Sequence, residues 1–356
     1  MTNAELEALA DEIVARLRDS RQRRSGAVGA VGAGGAGEPV VRGAVGAVGL
    51  SVVRGQAGAG AAKKSVAEQG TVESVRVVAG GAVALADTAW RGPAVLRAAW
   101  APAHGARRVA DFVDHTLLKA EATRAEVVRL CAEAREHRFA AVCVNATWVE
   151  LCVKQLDGTG VAVATVVGFP IGATTRRTKA AEAAEAVGTG AGEIDMVAAI
   201  GRIRGGQWAC VEDDIAAVVE ASRRALVKVI IESAVLTPEE IVKTCALAKE
   251  AGAGYVKTST GFHPAGGATT DAVRLMRLTV GDDLGVKASG GVRDCQTALA
   301  MIAAGASRIG TSSGVGMVSC LGPGPLSLAE LLAQPHAHGP ACTSGTCAPA
   351  GGGTPY

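Results

Sequence analysis

Three ionisable residues stand inside otherwise apolar runs: Asp195 in EIDMV, Lys257 in YVKTSTG and Lys287 in GVKASGG. Burial disfavours the charged form of a lysine, so its pKa falls, and two inward lysines on neighbouring strands depress each other further. A neutral amine near pH 7 is what a Schiff-base nucleophile requires. A carboxylate such as Asp195 suits the proton transfers of carbinolamine formation and dehydration. The plainer alternative is that each lysine neutralises a buried acid or extends its amine to the strand end. All three residues fall toward the C-terminal halves of their runs, and that shared placement favours chemistry.

A second set of residues suits an anion. Thr258-Ser259-Thr260-Gly261, Ser289-Gly290-Gly291 and Gly310-Thr311-Ser312-Ser313-Gly314 are hydroxyl- and glycine-rich turns that follow three consecutive apolar runs. Glycine lets backbone N–H groups approach a ligand closely. In barrels the turns after the last two strands commonly hold phosphate.

The elements that must position these groups are legible from Gly105 onward. Short apolar runs alternate with helical patterns: DFVDHTLL, AAVCVN, VAVATVVGF, EIDMVAAI, LVKVIIES, GYVKTST, GVKASGG and SRIGTSS, separated by stretches such as TRAEVVRLCAEAREH and TPEEIVKTCALAKEAG. Near-continuous apolar strands joined by helices mean a parallel sheet covered on both faces. Eight such pairs in so short a span predict a (β/α)8 TIM barrel over residues 104–322 rather than a doubly wound sheet. Active sites in that fold lie at the C-terminal ends of the strands.

In order along the chain, DHTLLKAEAT (Asp114–Thr123), VCVN (Val142–Asn145), GFPIGATT (Gly168–Thr175), EIDMV (Glu193–Val197), KVIIE (Lys228–Glu232), AGAGYVKTSTGF (Ala251–Phe262), GVKASGGVR (Gly285–Arg293) and GASRIGTSSG (Gly305–Gly314) resemble the deoxyribose-phosphate aldolases. That resemblance implies a class I aldolase cleaving 2-deoxy-D-ribose 5-phosphate to D-glyceraldehyde 3-phosphate and acetaldehyde, with no metal and no cofactor. It implies that Lys257 forms the Schiff base, a choice over Lys287 that the residues alone leave open. It further implies that Lys287 tunes Lys257, that Asp195 relays protons and that Asp114 lies near the site. Gly261, Gly290, Gly291, Ser312 and Ser313 match the phosphate-binding turns. Phe262 stands where some members carry a lysine near the phosphate, and Cys143 where many carry a cysteine near the site. A barrel aldolase of different aldehyde preference, or a non-catalytic barrel serving an assembly, are the competing readings.

The remaining sequence organises this domain. Of 356 residues 47 are glycine, 49% are hydrophobic, and the net charge is +2. So small a charge attracts neither nucleic acid nor an anionic membrane, and four Trp, two Tyr and four Phe make poor stacking platforms. No apolar stretch reaches the length of a membrane span, and acids occupy the place of a signal peptide's basic region. Nine cysteines without a secretory signal read as free thiols, which predicts a cytoplasmic protein. Residues 1–20 predict an amphipathic helix with Leu6, Leu9, Ile13, Val14 and Leu17 on one stripe. Residues 21–103 read as a Gly/Ala-rich linker, expected to be mostly disordered, in which TVESVRVV reads as a strand and AVLRAAW as a helical turn. The helix-and-tether arrangement resembles the encapsulation peptides that carry enzymes to bacterial microcompartment shell proteins, with a helix docked on its own barrel or a small coiled coil between copies as the competing readings. Residues 323–356 read as a mobile tail; its His336, His338, Cys342 and Cys347 lack a zinc-like spacing, and Tyr356 ends it. A homo-oligomer is expected from the family.

Overall fold

The computed structural model describes residues 108–319 except Arg224, the strands Val75–Val78 and Ala82–Leu85, and Glu5, Ala8 and Glu12 as helical, exposed positions. The linker on either side of the two strands, AVLRAAW and the tail with its His and Cys residues lie outside the described residues.

Eight parallel strands close into a barrel in sequence order, the last pairing with the first. They are β1 (Val113–Leu117), β2 (Ala141–Val144), β3 (Ala162–Val167), β4 (Glu193–Val197), β5 (Leu226–Ile230), β6 (Tyr255–Lys257), β7 (Gly285–Ser289) and β8 (Arg308–Thr311). Helices α1 (Arg124–His137), α2 (Val149–Leu156), α3 (Arg176–Gly188), α4 (Trp208–Ala221), α5 (Pro238–Glu250), α6 (Thr270–Val280), α7 (Cys295–Ala303) and α8 (Gly314–Ser319) follow the strands in turn. This is the (β/α)8 barrel that the strand–helix alternation predicts.

Local sequence sets the boundaries. Thr123 and Glu126 make a capping box at the start of α1, and Thr237 and Glu240 make another before α5, where Pro238 takes the first helical position. Asp294 caps α7 by accepting from the Thr297 N–H. Gly252 and Gly305, just past α5 and α7, adopt φ of +87° and +118°, so both helices end at a glycine able to turn the chain.

Val127, Leu130, Cys131 and Ala134 of α1 are buried, as are Val211, Ile215 and Val218 of α4, and with the outward strand residues they form the main core. A second, smaller apolar cluster lies apart from it: Leu118, Cys143, Ala164 and Val166, with Phe169 and Phe262 packed on it. One buried ion pair ties helices to the sheet, the Lys179 amine donating to Asp214 at 2.6 Å and to the Val197 carbonyl at 2.8 Å.

The two strands ahead of the barrel pair antiparallel, Val75 opposite Leu85 and Val78 opposite Ala82. The expected strand in TVESVRVV is present over Val75–Val78, with a partner at Ala82–Leu85. β-Branched residues on both sides of Ala79-Gly80-Gly81 are a hairpin signal.

Candidate active site

Strand register explains why distant charges meet. Side chains alternate between the barrel's interior and its helical jacket, so residues in register on parallel strands face the same way. Asp195 is opposite Lys228, Lys257 opposite Lys287, and Lys287 opposite Arg308. All of these side chains are directed inward, and Asp114, Asp195, Lys228 and Lys287 are fully buried.

Asp195 is the hub. Its Oδ2 accepts from the Lys257 amine at 2.9 Å and from the Lys287 amine at 2.7 Å, while its Oδ1 accepts from Lys228 at 2.7 Å. Lys287 also meets Asp114 at 2.5 Å, and Asp114 is held in turn by Arg308. Lys228 reaches Glu193 at 2.5 Å, and Arg308 reaches Glu193 at 2.8 Å. The plainer alternative, a buried lysine beside an acid, thus describes part of what these lysines do. Lys257 differs from the others in having a single acid partner and in ending its strand.

Electrostatics separates the lysines. Burial is the main influence on Lys257 and pushes its amine below the ordinary lysine range; Asp195 opposes the shift and Lys287 adds to it. Burial acts on Lys287 in the same sense, but Asp114 and Asp195 outweigh it and hold this amine well above its usual value. The expectation that the two lysines depress each other is therefore corrected: Lys257 is lowered and Lys287 is raised, because Lys287 faces two carboxylates. Burial would raise Asp195 too, yet three lysines hold it well below the usual carboxylate range. Asp114 is likewise held low by Arg308, Lys287 and Lys228 against its burial. The expected placement in C-terminal halves holds for Lys257, whereas Asp195 and Lys287 are central in their five-residue strands.

One wall of the interior is apolar. Cys143 is buried among Leu118, Ala164 and Val166, and burial together with Asp195 pushes its thiol up, which suits a small hydrophobe. Phe262 packs edge-on against Phe169, ring centres 5.1 Å apart, and closes this wall. His115 points the other way, to the jacket, where its Nε2 lies 2.6 Å from Glu133; its ordinary pKa is lowered by burial.

The hydroxyl- and glycine-rich turns converge at the strands' C-terminal ends. Thr258 knits β6 to β7: its N–H donates to the Lys287 carbonyl at 3.0 Å, and its hydroxyl donates to the Ser289 carbonyl at 3.1 Å. Glu232, itself at φ +54°, accepts from the Thr260 hydroxyl at 2.5 Å and from the Thr260 N–H, which fixes the turn after β6. Gly261, Gly290 and Gly291 have φ of +85°, +84° and +81°. Gly267 crosses so close to Gly290 that a Cβ there would meet the Gly290 carbonyl at 2.1 Å. Ser312 is exposed and Ser313 half-buried, the Ser313 N–H donating to the Thr311 hydroxyl at 3.0 Å. The hydroxyls of Ser259 and Ser289 are buried without a hydrogen-bond partner among the described residues.

Lys228, Glu193 and Arg308 join the site unannounced by the sequence reading, as does Glu232, whereas Ser259 and Ser289 belong to the turns expected to suit an anion. The first three carry the same signal as Lys257, a charge at an inward position of an apolar strand. Among the described residues no cluster of His, Cys, Asp and Glu is arranged to hold a metal, and no helix is long and apolar enough to cross a membrane.

A family model described as DeoC/LacD family aldolase matches residues 108–319. The deoxyribose-phosphate aldolase of Geobacillus sp. (strain WCH70) is 58% identical over 211 residues, 59% of this chain and 94% of the relative. That of Streptococcus uberis is 54% identical over 212 residues, 60% of this chain and 96% of the relative. Among solved structures, the aldolase QR15 matches with a TM-score of 0.57 and 38% identity, covering 59% of this chain and 94% of its own. The tetrameric deoxyribose phosphate aldolase of Aeropyrum pernix matches with a TM-score of 0.56 and 30% identity, covering 60% and 90%.

Proposed function

The chain belongs to the DeoC/LacD family of aldolases, and from that membership we propose that it reversibly cleaves 2-deoxy-D-ribose 5-phosphate to D-glyceraldehyde 3-phosphate and acetaldehyde. The observation that carries this reading is the Lys257 amine: buried at the end of β6, lowered in pKa, and 2.9 Å from Asp195.

In cleavage, Lys257 Nζ attacks C1 of the open-chain sugar, and the carbinolamine loses water to give a protonated imine. The C3 hydroxyl gives up its proton through a relay that includes Asp195. The C2–C3 bond breaks, its electron pair enters the iminium, and D-glyceraldehyde 3-phosphate departs from an enamine on Lys257. Protonation at C2 and hydrolysis release acetaldehyde and the free amine. Lys287, held cationic by Asp114 and Asp195, keeps Asp195 ionised beside the reacting nitrogen. The apolar wall of Leu118, Cys143 and Val166 faces this charged half of the barrel and suits the two-carbon fragment. The sugar phosphate sits on Gly261, Gly290, Gly291, Ser312 and Ser313, with the Ser259 and Ser289 hydroxyls close by. An assay that follows both products tests this directly: deoxyribose 5-phosphate is turned over with a KM far below that of deoxyribose, and comparable KM values would place the phosphate elsewhere.

The finer assignment concerns residues 1–20. Their apolar stripe needs a partner, because a helix this short is marginal alone in water. Glu5, Ala8 and Glu12 are helical and exposed at the spacing of one polar face. The Gly- and Ala-rich sequence that follows separates the stripe from the barrel, which a helix serving its own barrel does not require. The stripe therefore docks on a microcompartment shell protein, and confinement suits a volatile, reactive product. Deleting residues 1–20 leaves turnover intact and abolishes recruitment to shells, while Met1–Gln22 fused to a fluorescent protein confers it. A diffuse fusion in shell-forming cells contradicts this assignment. The barrel itself belongs to the cytoplasm and assembles as a homo-oligomer, for which the tetrameric Aeropyrum pernix relative is the precedent.

A further inference from the structure

The charged groups inside the barrel form a closed ring. Asp195 meets Lys228, Lys228 meets Glu193, Glu193 meets Arg308, Arg308 meets Asp114, Asp114 meets Lys287, and Lys287 returns to Asp195. Around the ring each carboxylate lies between two cations and each cation between two carboxylates, Lys228 also standing 3.8 Å from Asp114 across it, so three negative charges are matched by three positive ones. Lys257 stands outside the ring. It shares a single oxygen, Asp195 Oδ2, which already accepts from Lys287. Other interior groups do not alter this balance: β2 contributes the Cys143 thiol, β3 contributes Ala164 and Val166, and the Tyr255 ring of β6 lies 5.9 Å from the Arg308 guanidinium. On β1, His115 faces the jacket with Glu133.

We propose that Lys228, Glu193 and Arg308 are positioning residues that close this ring and thereby make Lys257, rather than Lys287 or Lys228, the amine left without a counter-charge. The inference rests on reading Lys257 as the Schiff-base nucleophile. None of the three makes an ion pair or hydrogen bond to Lys257 among the described residues, so they act through Asp195 and Asp114. In a low-dielectric interior a net charge is disfavoured, and the surplus cation is the one that gives up its proton. Removing a ring cation should consequently leave one carboxylate unmatched and call a proton back onto Lys257. Removing a ring carboxylate should do the reverse.

The test is the pH dependence of kcat/KM for deoxyribose 5-phosphate in the full chain, with folding of each variant checked by thermal melting. Lys228→Met moves the acid limb to higher pH by at least about one unit, roughly a tenfold loss of free amine at pH 7 that is regained in alkali. Glu193→Gln moves the limb to lower pH. The double variant Lys228→Met/Glu193→Gln, which restores the match of charges, returns the limb to within about half a unit of the starting protein. A structural role would make the double variant worse than either single one and would lower activity at all pH values alike. That result, or limbs moving in the same direction for both single variants, overturns the proposal. If the unmodified chain does not cleave deoxyribose 5-phosphate, the functional reading itself fails, which is a separate outcome.

Discussion

At the scale of single residues, the account turns on one amine having a lower pKa than its neighbours. Burial lowers the Lys257 pKa, so between its folded and unfolded values the unfolded chain binds more protons than the folded one. Stability from this group therefore rises with pH and levels off above the unfolded value of about 10.4. Lys257→Met removes the penalty, which below the folded pKa is about 1.4 kcal/mol for each unit by which that pKa lies under the unfolded one and fades as pH rises to the unfolded value. The variant should melt higher than the parent at pH 7, with the difference shrinking as pH approaches 10. A gap that stays constant with pH would show that Lys257 is cationic in the folded protein. The candidate residues Asp195, Lys257 and Lys287 are legible as charges within apolar strands. Their division of roles is not, because Lys287 rises through contact with Asp114, which is far from it in sequence and comes beside it only when the barrel closes. Glu193 and Arg308 open their strands, far from the C-terminal ends where chemistry is expected, whereas Lys228 carries the same signal as Asp195 and sits beside it in register.

At the scale of elements, the turns after β6 and β7 act as a unit. Thr258 joins them, Glu232 braces the first, and Gly267 lies on Gly290. At Gly290 a Cβ would stand 3.0 Å from Gly267 Cα and 3.4 Å from Ser259 Cβ, in a backbone conformation of φ +84° that favours glycine. Gly290→Asp adds to this crowding a negative charge where an anion is to bind. KM for deoxyribose 5-phosphate should rise by roughly a hundredfold, as expected for loss of charge-assisted phosphate contacts, while that for deoxyribose changes little. Equal effects on both substrates would mean that the turn shapes the whole site rather than the phosphate end. The strands themselves are legible because each is a short apolar run bounded by turn residues, and the capping boxes at Thr123 and Thr237 show where α1 and α5 begin. What sequence inspection could not supply was the close passage of Gly267 over Gly290. Nothing in a Gly-Gly pair says which other backbone will lie on it.

At the scale of the whole molecule, the relatives matched over 94% and 96% of their own lengths correspond to about 60% of this chain. The barrel closes on itself, β8 against β1, within residues 108–319. Residues 104–322 alone should accordingly fold and retain kcat/KM within about threefold of the full chain, a difference of less than 1 kcal/mol in transition-state stabilisation. Insoluble or inactive protein would assign a structural part to the preceding segment, in which the hairpin of Val75–Val78 and Ala82–Leu85 lies. The central claim, that this barrel works through an imine on Lys257, has a direct test. The full chain is incubated with acetaldehyde, reduced with borohydride, digested and mapped by mass spectrometry. A two-carbon addition on Lys257, with loss of activity, is the result expected; addition on Lys287 or Lys228 instead, or none anywhere, would contradict the account.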